Sequence, residues 1–389
     1  MKRHFKSIWK AAPAVVFSGL FLLSVAGFVF AQSPAQGVVP VLEGLDPVLL
    51  LQGKEVPGNL KITVTRGNFQ YLFANEENKA VFVNAPARYE IQLDGACARM
   101  GAPVSGNPDL HTVYQGRIYI FGTDECKTRF EAAPESFLEG AGGAKQTAVV
   151  TPEAQKKGEA LIEKAVAAMG GAEVIDRLAD YQEKSTALQT RHQGDVEVKT
   201  NLSILFPDRV RLDQFMPDWS NPSAIRQAAM VISANEAFVL TPGGPRSLAA
   251  AQRLDQEREI SRRPLSILRG RKHAGFNPAA IGTAKVGETA IELVSVEIDG
   301  TSYTLGIDPV TGRMLSLSYR RRGPGGEFGQ FAKVFSDFRS VAGITLPFKI
   351  TASFNDQPWK EQSATVESIA VNGKIDPALF EKPKTAKVQ

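Results

Sequence analysis

The chain has 389 residues, enough for about two domains at roughly 100–200 residues each. Hydrophobic residues make up 43% and charged residues 22%, with 22 Phe, a composition that excludes a disordered chain, a coiled coil and a multi-span membrane protein. The formal charge of +4 comes from one end: Lys2, Arg3, Lys6 and Lys10 carry it, and the other 41 Lys and Arg balance the 41 acids, leaving no basic surplus to attract nucleic acid.

Residues 1–10 are basic, and 11–31 form an uncharged run ending Val29-Phe30-Ala31 before Gln32. This is the three-part pattern of a cleaved secretory signal peptide, residues 1–31, and predicts a periplasmic location. The alternative is an uncleaved inner-membrane anchor, since 21 uncharged residues just span a bilayer. No Cys follows the run, so no lipoprotein attachment site is present.

Residues 46–138 read as one small domain containing a repeat. Tyr71 to Tyr89, YLFANEENKAVFVNAPARY, aligns without a gap to Tyr119 to Phe137, YIFGTDECKTRFEAAPESF. Each copy reads as a hairpin followed by a short helix. Asn75 and Thr123 are the expected N-caps, followed by acids that suit a helix N-terminus. Phe82 and Phe130 are the expected buried residues, and Pro86 and Pro134 the stops.

Residues 139–151, EGAGGAKQTAVVT, read as a linker rather than a phosphate loop, because no Gly-Lys-Ser/Thr follows the glycines. Residues 152–383 form the second domain. A helix is predicted over 152–169, capped by Thr151 and stopped by Gly170-Gly171, with a second over 172–180. From Val196 the pattern changes to period two. Strands are expected at 196–206, 210–212, 229–234, 236–241, 284–287, 290–298, 302–308, 314–320, 331–338, 347–354 and 362–371, with partial helix over 247–270. The predicted fold class is α+β: a small α/β module, then an open antiparallel β-barrel capped by helices.

The apolar face of this meander is the candidate binding surface. Val198, Leu202, Ile204, Phe206, Leu212, Leu293, Leu305 and Leu317 are its expected wall, and the pattern describes either an acyl-chain cavity or a filled core. Cys97 and Cys126 are the only cysteines. In an exported chain a disulfide closing a loop of about 30 residues is the leading expectation. A soft-metal site completed by Met100 and His111 is the alternative, and free thiols are the third. No G-x-S-x-G elbow, HExxH or carboxylate dyad is present, so no enzyme and no cofactor are predicted. Pairs such as Asp208/Asp213 and Asp299/Asp308 fall at turns and are expected to be solvated. The basic runs Arg258, Arg262, Arg263, Arg269, Arg271, Lys272 and Arg320-Arg321-Arg322 read either as a rim for membrane-surface contact or as a solvated face paired with the acids at 255–259.

Two family resemblances follow from particular residues. Asp46-Pro47-Val48, Gly53-Lys54, Val56-Pro57-Gly58 and the two aromatic-strand, acidic-helix units resemble the YHS-domain family over 46–138, which implies a small module often associated with metal binding. Gly122 stands where that family usually has a second Cys. Residues 152–383 resemble the LolA/LolB-type lipoprotein-sorting carriers. This rests on Met169-Gly170-Gly171, Pro207-Asp208-Arg209-Val210-Arg211, Ile307-Asp308-Pro309-Val310-Thr311-Gly312, Phe335-Ser336-Asp337-Phe338-Arg339, the stretch Val341 to Pro347, Val371-Asn372-Gly373 and Phe380-Glu381-Lys382-Pro383. That resemblance implies a non-enzymatic carrier of a lipid or lipoprotein acyl chain. Metal handling through the first domain is the alternative function.

Overall fold

A computed structural model describes residues 39–139, 150–191, 194–218, 224–241, 244–273, 275–298 and 301–383. The expected signal segment 1–31, all but the ends of the linker, and the tail 384–389 lie outside the described residues. No helix among the described residues is long and apolar enough to cross a membrane.

The N-terminal region runs β1 (Val39–Pro40), α1 (Pro47–Leu50), β2 (Asn59–Arg66), β3 (Phe69–Phe73), α2 (Glu76–Asn84) and α3 (Pro86–Tyr89). It continues with β4 (Ala96–Cys97), β5 (Gly101–Ser105), β6 (Asn107–Tyr114), β7 (Arg117–Phe121) and α4 (Asp124–Ala132). The strands form two sheets, ordered β1-β3-β2 and β5-β4-β7-β6. The repeat is visible as hairpin β2–β3 with α2, and hairpin β6–β7 with α4. Asn75 Oδ1 accepts the Asn78 amide at 2.8 Å and Thr123 Oγ1 accepts the Cys126 amide at 3.2 Å, so each satisfies one donor left free at a helix start.

Phe82 packs on Tyr71 and Phe73 with ring centroids 4.8 and 5.2 Å away. Phe130 packs on Tyr119 and Phe121 at 5.5 and 5.1 Å. Ile118 and Ile120 of the second copy join the cluster of Tyr71, Phe73 and Phe82, so the two copies share a core. Buried Asp46 joins the start of the region together. It caps α1 by accepting the Val48 amide at 2.8 Å, and its other oxygen accepts from the Ala74 amide and Asn78 Nδ2 at 2.8 and 2.7 Å.

The C-terminal region opens with α5 (Pro152–Met169) and α6 (Ala172–Asp176), then strands β8 (Asp180–Arg191), β9 (Gly194–Leu205), β10 (Arg209–Pro217), β11 (Ile225–Ile232), β12 (Ala237–Thr241) and β13 (Gly244–Ser247). Helices α7 (Ala250–Ser261) and α8 (Pro264–Arg269) follow. The chain then forms β14 (Ala279–Val286), β15 (Thr289–Ile298), β16 (Thr301–Ile307), β17 (Met314–Arg322), β18 (Phe328–Val341), β19 (Ile344–Phe354), β20 (Gln357–Pro358) and β21 (Ala364–Val371).

These strands make one 14-stranded antiparallel sheet, ordered β13-β12-β11-β10-β9-β8-β21-β19-β18-β17-β16-β15-β14, with β20 beside β19. β13 and β14 are its two free ends. The expected barrel is therefore a large open sheet, not a closed one. Its two meanders, β8 to β13 and β14 to β21, join where β8 pairs with β21. Residues 172–180 were expected as a helix, but α6 stops at Asp176 and β8 begins at Asp180. Thr241 closes β12 and Gly244 opens β13, the two paired with each other; residues 242–243 between them lie outside the described residues.

One face of the sheet carries the main core. Leu161, Ile162, Ala165 and Val166 of α5 and Leu265, Ile267 and Leu268 of α8 meet Leu305, Leu317, Phe331 and Phe335 there. The i, i+1, i+4, i+5 spacing in α5 is one helical stripe, which is why this helix lies flat on the sheet.

Candidate functional site

Between α7 and β9–β11 the helices leave a cleft of about 360 Å³. Ile204, Phe206, Val210, Ile232 and Ile260 supply its apolar wall, and Asp208, Arg253, Glu257, Ser261 and Arg269 stand among its lining. The rim arginines are already engaged. Arg253 Nε donates to Glu257 at 2.7 Å and its Nη2 to the carbonyls of Ser233 and Ala234 at 2.9 and 3.1 Å. Arg269 Nη1 donates to the carbonyls of Ile175 and Leu178, and its guanidinium lies 3.9 Å from the Phe206 ring centroid. Burial lowers the Arg269 pKa. The cleft thus has an apolar floor and a rim whose arginine donors are satisfied from within.

The structure distributes the expected wall residues among four settings. Ile204 and Phe206 line the cleft. Leu202, Leu305 and Leu317 are fully packed in the main core, with Leu212 partly buried against it. Val198 pairs with Met216 in a small separate cluster. Leu293 shares its phase with Ile291, while Val294 and Val296 face the main core in its place. The run 290–298 is apolar in both phases, so alternation could not choose between them.

Deeper under α7 lies a feature that sequence reading missed. Arg262, Arg263, Glu259 and Asp255 descend from α7 and the turn after it. Glu183 of β8, Tyr319 and Arg321 of β17 and Lys333 of β18 rise from the sheet. Arg263 pairs with Glu183, which also accepts from Tyr181. Arg262 Nη1 donates to Glu259 at 2.6 Å, and Arg321 Nη1 approaches the same carboxylate at 3.2 Å. Arg262 stacks 4.3 Å from the Tyr319 ring centroid, and Arg321 lies 5.0 and 5.6 Å from the rings of Phe331 and Trp359.

Charge and burial compete throughout this cluster. Burial raises the Glu259 pKa, but Arg321, Lys333 and Arg262 more than offset it and hold the carboxyl down at about 2. Burial pushes Asp255 up, and neighbouring Glu259 adds to the rise. Burial pulls Lys333 down to about 8; Glu259 opposes this, and Arg321, Arg263 and Arg262 reinforce it.

Several expected surface features turn inward. Arg262 and Arg321 are 7% and 10% exposed. Arg271 holds Asp176 through two 2.8 Å bonds. The basic runs are therefore split: Arg262, Arg271 and Arg321 turn inward, while Lys272 and Arg320 remain exposed. Asp213 is buried and gripped by Arg211 Nε and Nη2 at 2.8 Å each. Asp308 is buried and accepts from the Val310 amide at 2.8 Å and the Thr311 hydroxyl at 2.5 Å. Neither carboxylate is solvated as expected. Asp299 lies outside the described residues.

Cys97 and Cys126 are both buried and free, so the expected disulfide is not formed. Arg99 Nη1 donates to Cys126 Sγ at 3.7 Å, which occupies the sulfur as an acceptor. Burial raises the Cys97 pKa. At Cys126 burial also raises it, but hydrogen bonds from Thr123, Arg99 and Cys97 reverse the direction. Met100 packs in the same cluster as the two thiols. Among the described residues no three His, Cys, Asp or Glu side chains gather as a metal site. Arg99 also links the two regions: its carbonyl accepts Arg322 Nη1 at 2.7 Å, and the same nitrogen reaches the Gly326 carbonyl at 2.9 Å. Gly326 has φ +92°, and a Cβ there would fall 2.4 Å from the Arg99 carbonyl oxygen, so this approach requires glycine.

No family model and no curated protein matches the sequence. Three solved structures illustrate what the chain is similar to. A putative outer membrane lipoprotein-sorting protein domain from Vibrio parahaemolyticus superposes with a TM-score of 0.39 at 10% identity, covering 58% of this chain and 97% of that one. A LolA superfamily protein from Nitrosomonas europaea gives 0.38 at 12%, with the same coverage. A DUF1329 family protein from Desulfovibrio piger gives 0.30 at 11%, again covering 58% and 97%. The YHS resemblance over 46–138 finds no support in these comparisons.

Proposed function

We propose that the chain is an exported, non-enzymatic binding protein of the periplasm that carries or senses an apolar ligand, a lipid or lipoprotein acyl chain. The observation that carries this reading is the cleft beside α7. It is at the lower end of the volumes that hold small ligands, its floor is Ile204, Phe206, Val210, Ile232 and Ile260, and its rim arginines are engaged. Such a site selects hydrocarbon over polar solutes. Each buried methylene contributes about 0.8 kcal/mol, so a chain of about ten carbons reaches micromolar affinity before ordering costs. The period-two pattern of β9 and β10 supports the same reading, because it places Ile204 and Val210 opposite each other in the floor.

Native mass spectrometry of the protein purified from the periplasm, before and after organic extraction, tests this. A co-purifying apolar mass that disappears on extraction is expected. Blocking the cleft with Ser261→Trp should abolish its retention. An apo mass that takes up no acyl chain when one is supplied would overturn the proposal.

A further inference from the structure

We infer that the ionic cluster beneath α7 is an oxyanion site, and that the ligand is an anionic amphiphile whose carboxylate or phosphate head binds Arg321, Arg262 and Lys333 while its tail lies in the cleft. This rests on the cleft reading above and specifies its ligand. The first support is a charge imbalance. Four cations, Arg262, Arg263, Arg321 and Lys333, face two ionised carboxylates, Glu183 and Glu259. A third carboxyl, Asp255, is pushed toward its neutral form by burial and by Glu259. Buried charge without a partner is costly and is retained where something else neutralises it.

The second support is a set of idle donors. Arg321 Nε and Nη1, Arg262 Nε, Gln256 Nε2 and Trp359 Nε1 are all buried and make no hydrogen bond. Arg321 Nη1 is 3.2 Å from Glu259 but misaligned for a bond. Lys333, directed to the same face as Phe331 and Phe335, makes no hydrogen bond or ion pair among the described residues and lies 5.5 Å from the Phe331 ring centroid. Buried polar groups are satisfied in the great majority of cases. The buried Tyr319 hydroxyl is likewise unbonded, but one neutral oxygen cannot serve five idle donors; the complement is an oxyanion with several lone pairs, which arginine and lysine bind through charge-assisted bonds.

The third support is position. Ile204 of the cleft floor pairs with Tyr181, and Leu202 pairs with Glu183. Two residues along a strand cover about 7 Å. Ile260 of the cleft wall follows Glu259 directly on α7 and stands two residues before Arg262. A head group at the cluster and a tail in the cleft are thus neighbours across one row of side chains.

The test is equilibrium binding to the delipidated mature chain of four probes: hexadecanoate, hexadecyl phosphate, hexadecanol and inorganic phosphate. At least one anionic amphiphile should bind about tenfold or more tighter than hexadecanol. Arg321→Met and, separately, Lys333→Met should erase that preference and leave hexadecanol binding unchanged; having two variants covers the failure of either to fold. Equal binding of anionic and neutral amphiphiles overturns the oxyanion site and leaves the cleft reading intact. Failure of all three amphiphiles overturns the cleft reading itself. Inorganic phosphate binding as tightly as hexadecyl phosphate overturns the link between head and tail.

Discussion

One face of a single sheet is covered in two different ways. Under α5 it is dry: Leu161, Ile162, Ala165 and Val166 meet Leu305, Leu317 and Phe335 with no charged side chain among them. Under α7 the same face carries Glu183, Arg321 and Lys333, and the helix brings Glu259 and Arg262 to meet them. The strands are continuous between the two zones; β17 contributes Leu317 to one and Arg321 to the other. The difference lies in the helices. α5 has an apolar stripe and is held by burial, whereas α7 is largely polar and is held by ion pairs. Apolar packing of the first kind stabilises a fold, whereas buried ion pairs of the second kind often contribute no net stability over a well-packed apolar replacement.

The largest expected break in this comparison is in the dry zone. Leu317→Ala should lose about 2–5 kcal/mol of unfolding free energy, read by chemical denaturation, and should leave the ranking of the amphiphile probes unaltered. A ligand-specific effect from that substitution would dissolve the division between core and site. At the cleft the expectation reverses. Ser261→Trp should lower acyl-chain affinity by more than tenfold while shifting unfolding free energy by only about 0.5 kcal/mol, the ordinary range for an exposed position.

The polar zone is further sharpened by pH. Lys333 has a pKa of about 8 in the fold against an ordinary 10.5. Between those values the unfolded chain holds a proton that the folded chain has released, so unfolding free energy rises with pH across that window. The penalty is fully present below pH 8 and is relieved as pH approaches 10.5. Glu259 behaves oppositely: its contribution is present above its ordinary 4.5 and is lost as pH falls toward 2. Melting temperatures of the wild-type chain and Lys333→Met, followed from pH 7 to 10, should converge if the alkaline gain belongs to Lys333. The smallest effect concerns the repeat. Asn75→Ala and Thr123→Ala should each cost about 1 kcal/mol, and a large disparity between them would show that the two copies do not bear load equally.

How much of this was legible follows the same division. The caps Asn75 and Thr123, the buried Phe82 and Phe130 and the α5 stripe were readable because each obeys a local rule of spacing. β8 was not. Its inward positions are Tyr181, Glu183, Ser185 and Ala187, so the alternation that marks a half-buried strand is missing where the charge cluster needs polar atoms. The residues that make the zone distinctive are those that erase the pattern. Arg321 looked like surface for a related reason: a sequence shows charge but not the carboxylate, Glu259, brought to it from another element. Asp213 and Asp308 were read as solvated because their partners, Arg211 and Thr311, gain meaning only once the backbone turns around them. Leu293 and Val294 are equally apolar neighbours, and only the register decides which one faces the core.

Arg321 and Arg322 are consecutive on β17, and consecutive strand residues project to opposite sides. The first enters the ionic cluster; the second grips the carbonyls of Arg99 and Gly326, and Arg99 in turn touches the Cys126 sulfur. A single peptide unit therefore stands between the interior of one region and a contact to a thiol in the other. The ionic cluster and the buried thiol thus stand two contacts apart along one strand, on opposite sides of the same sheet.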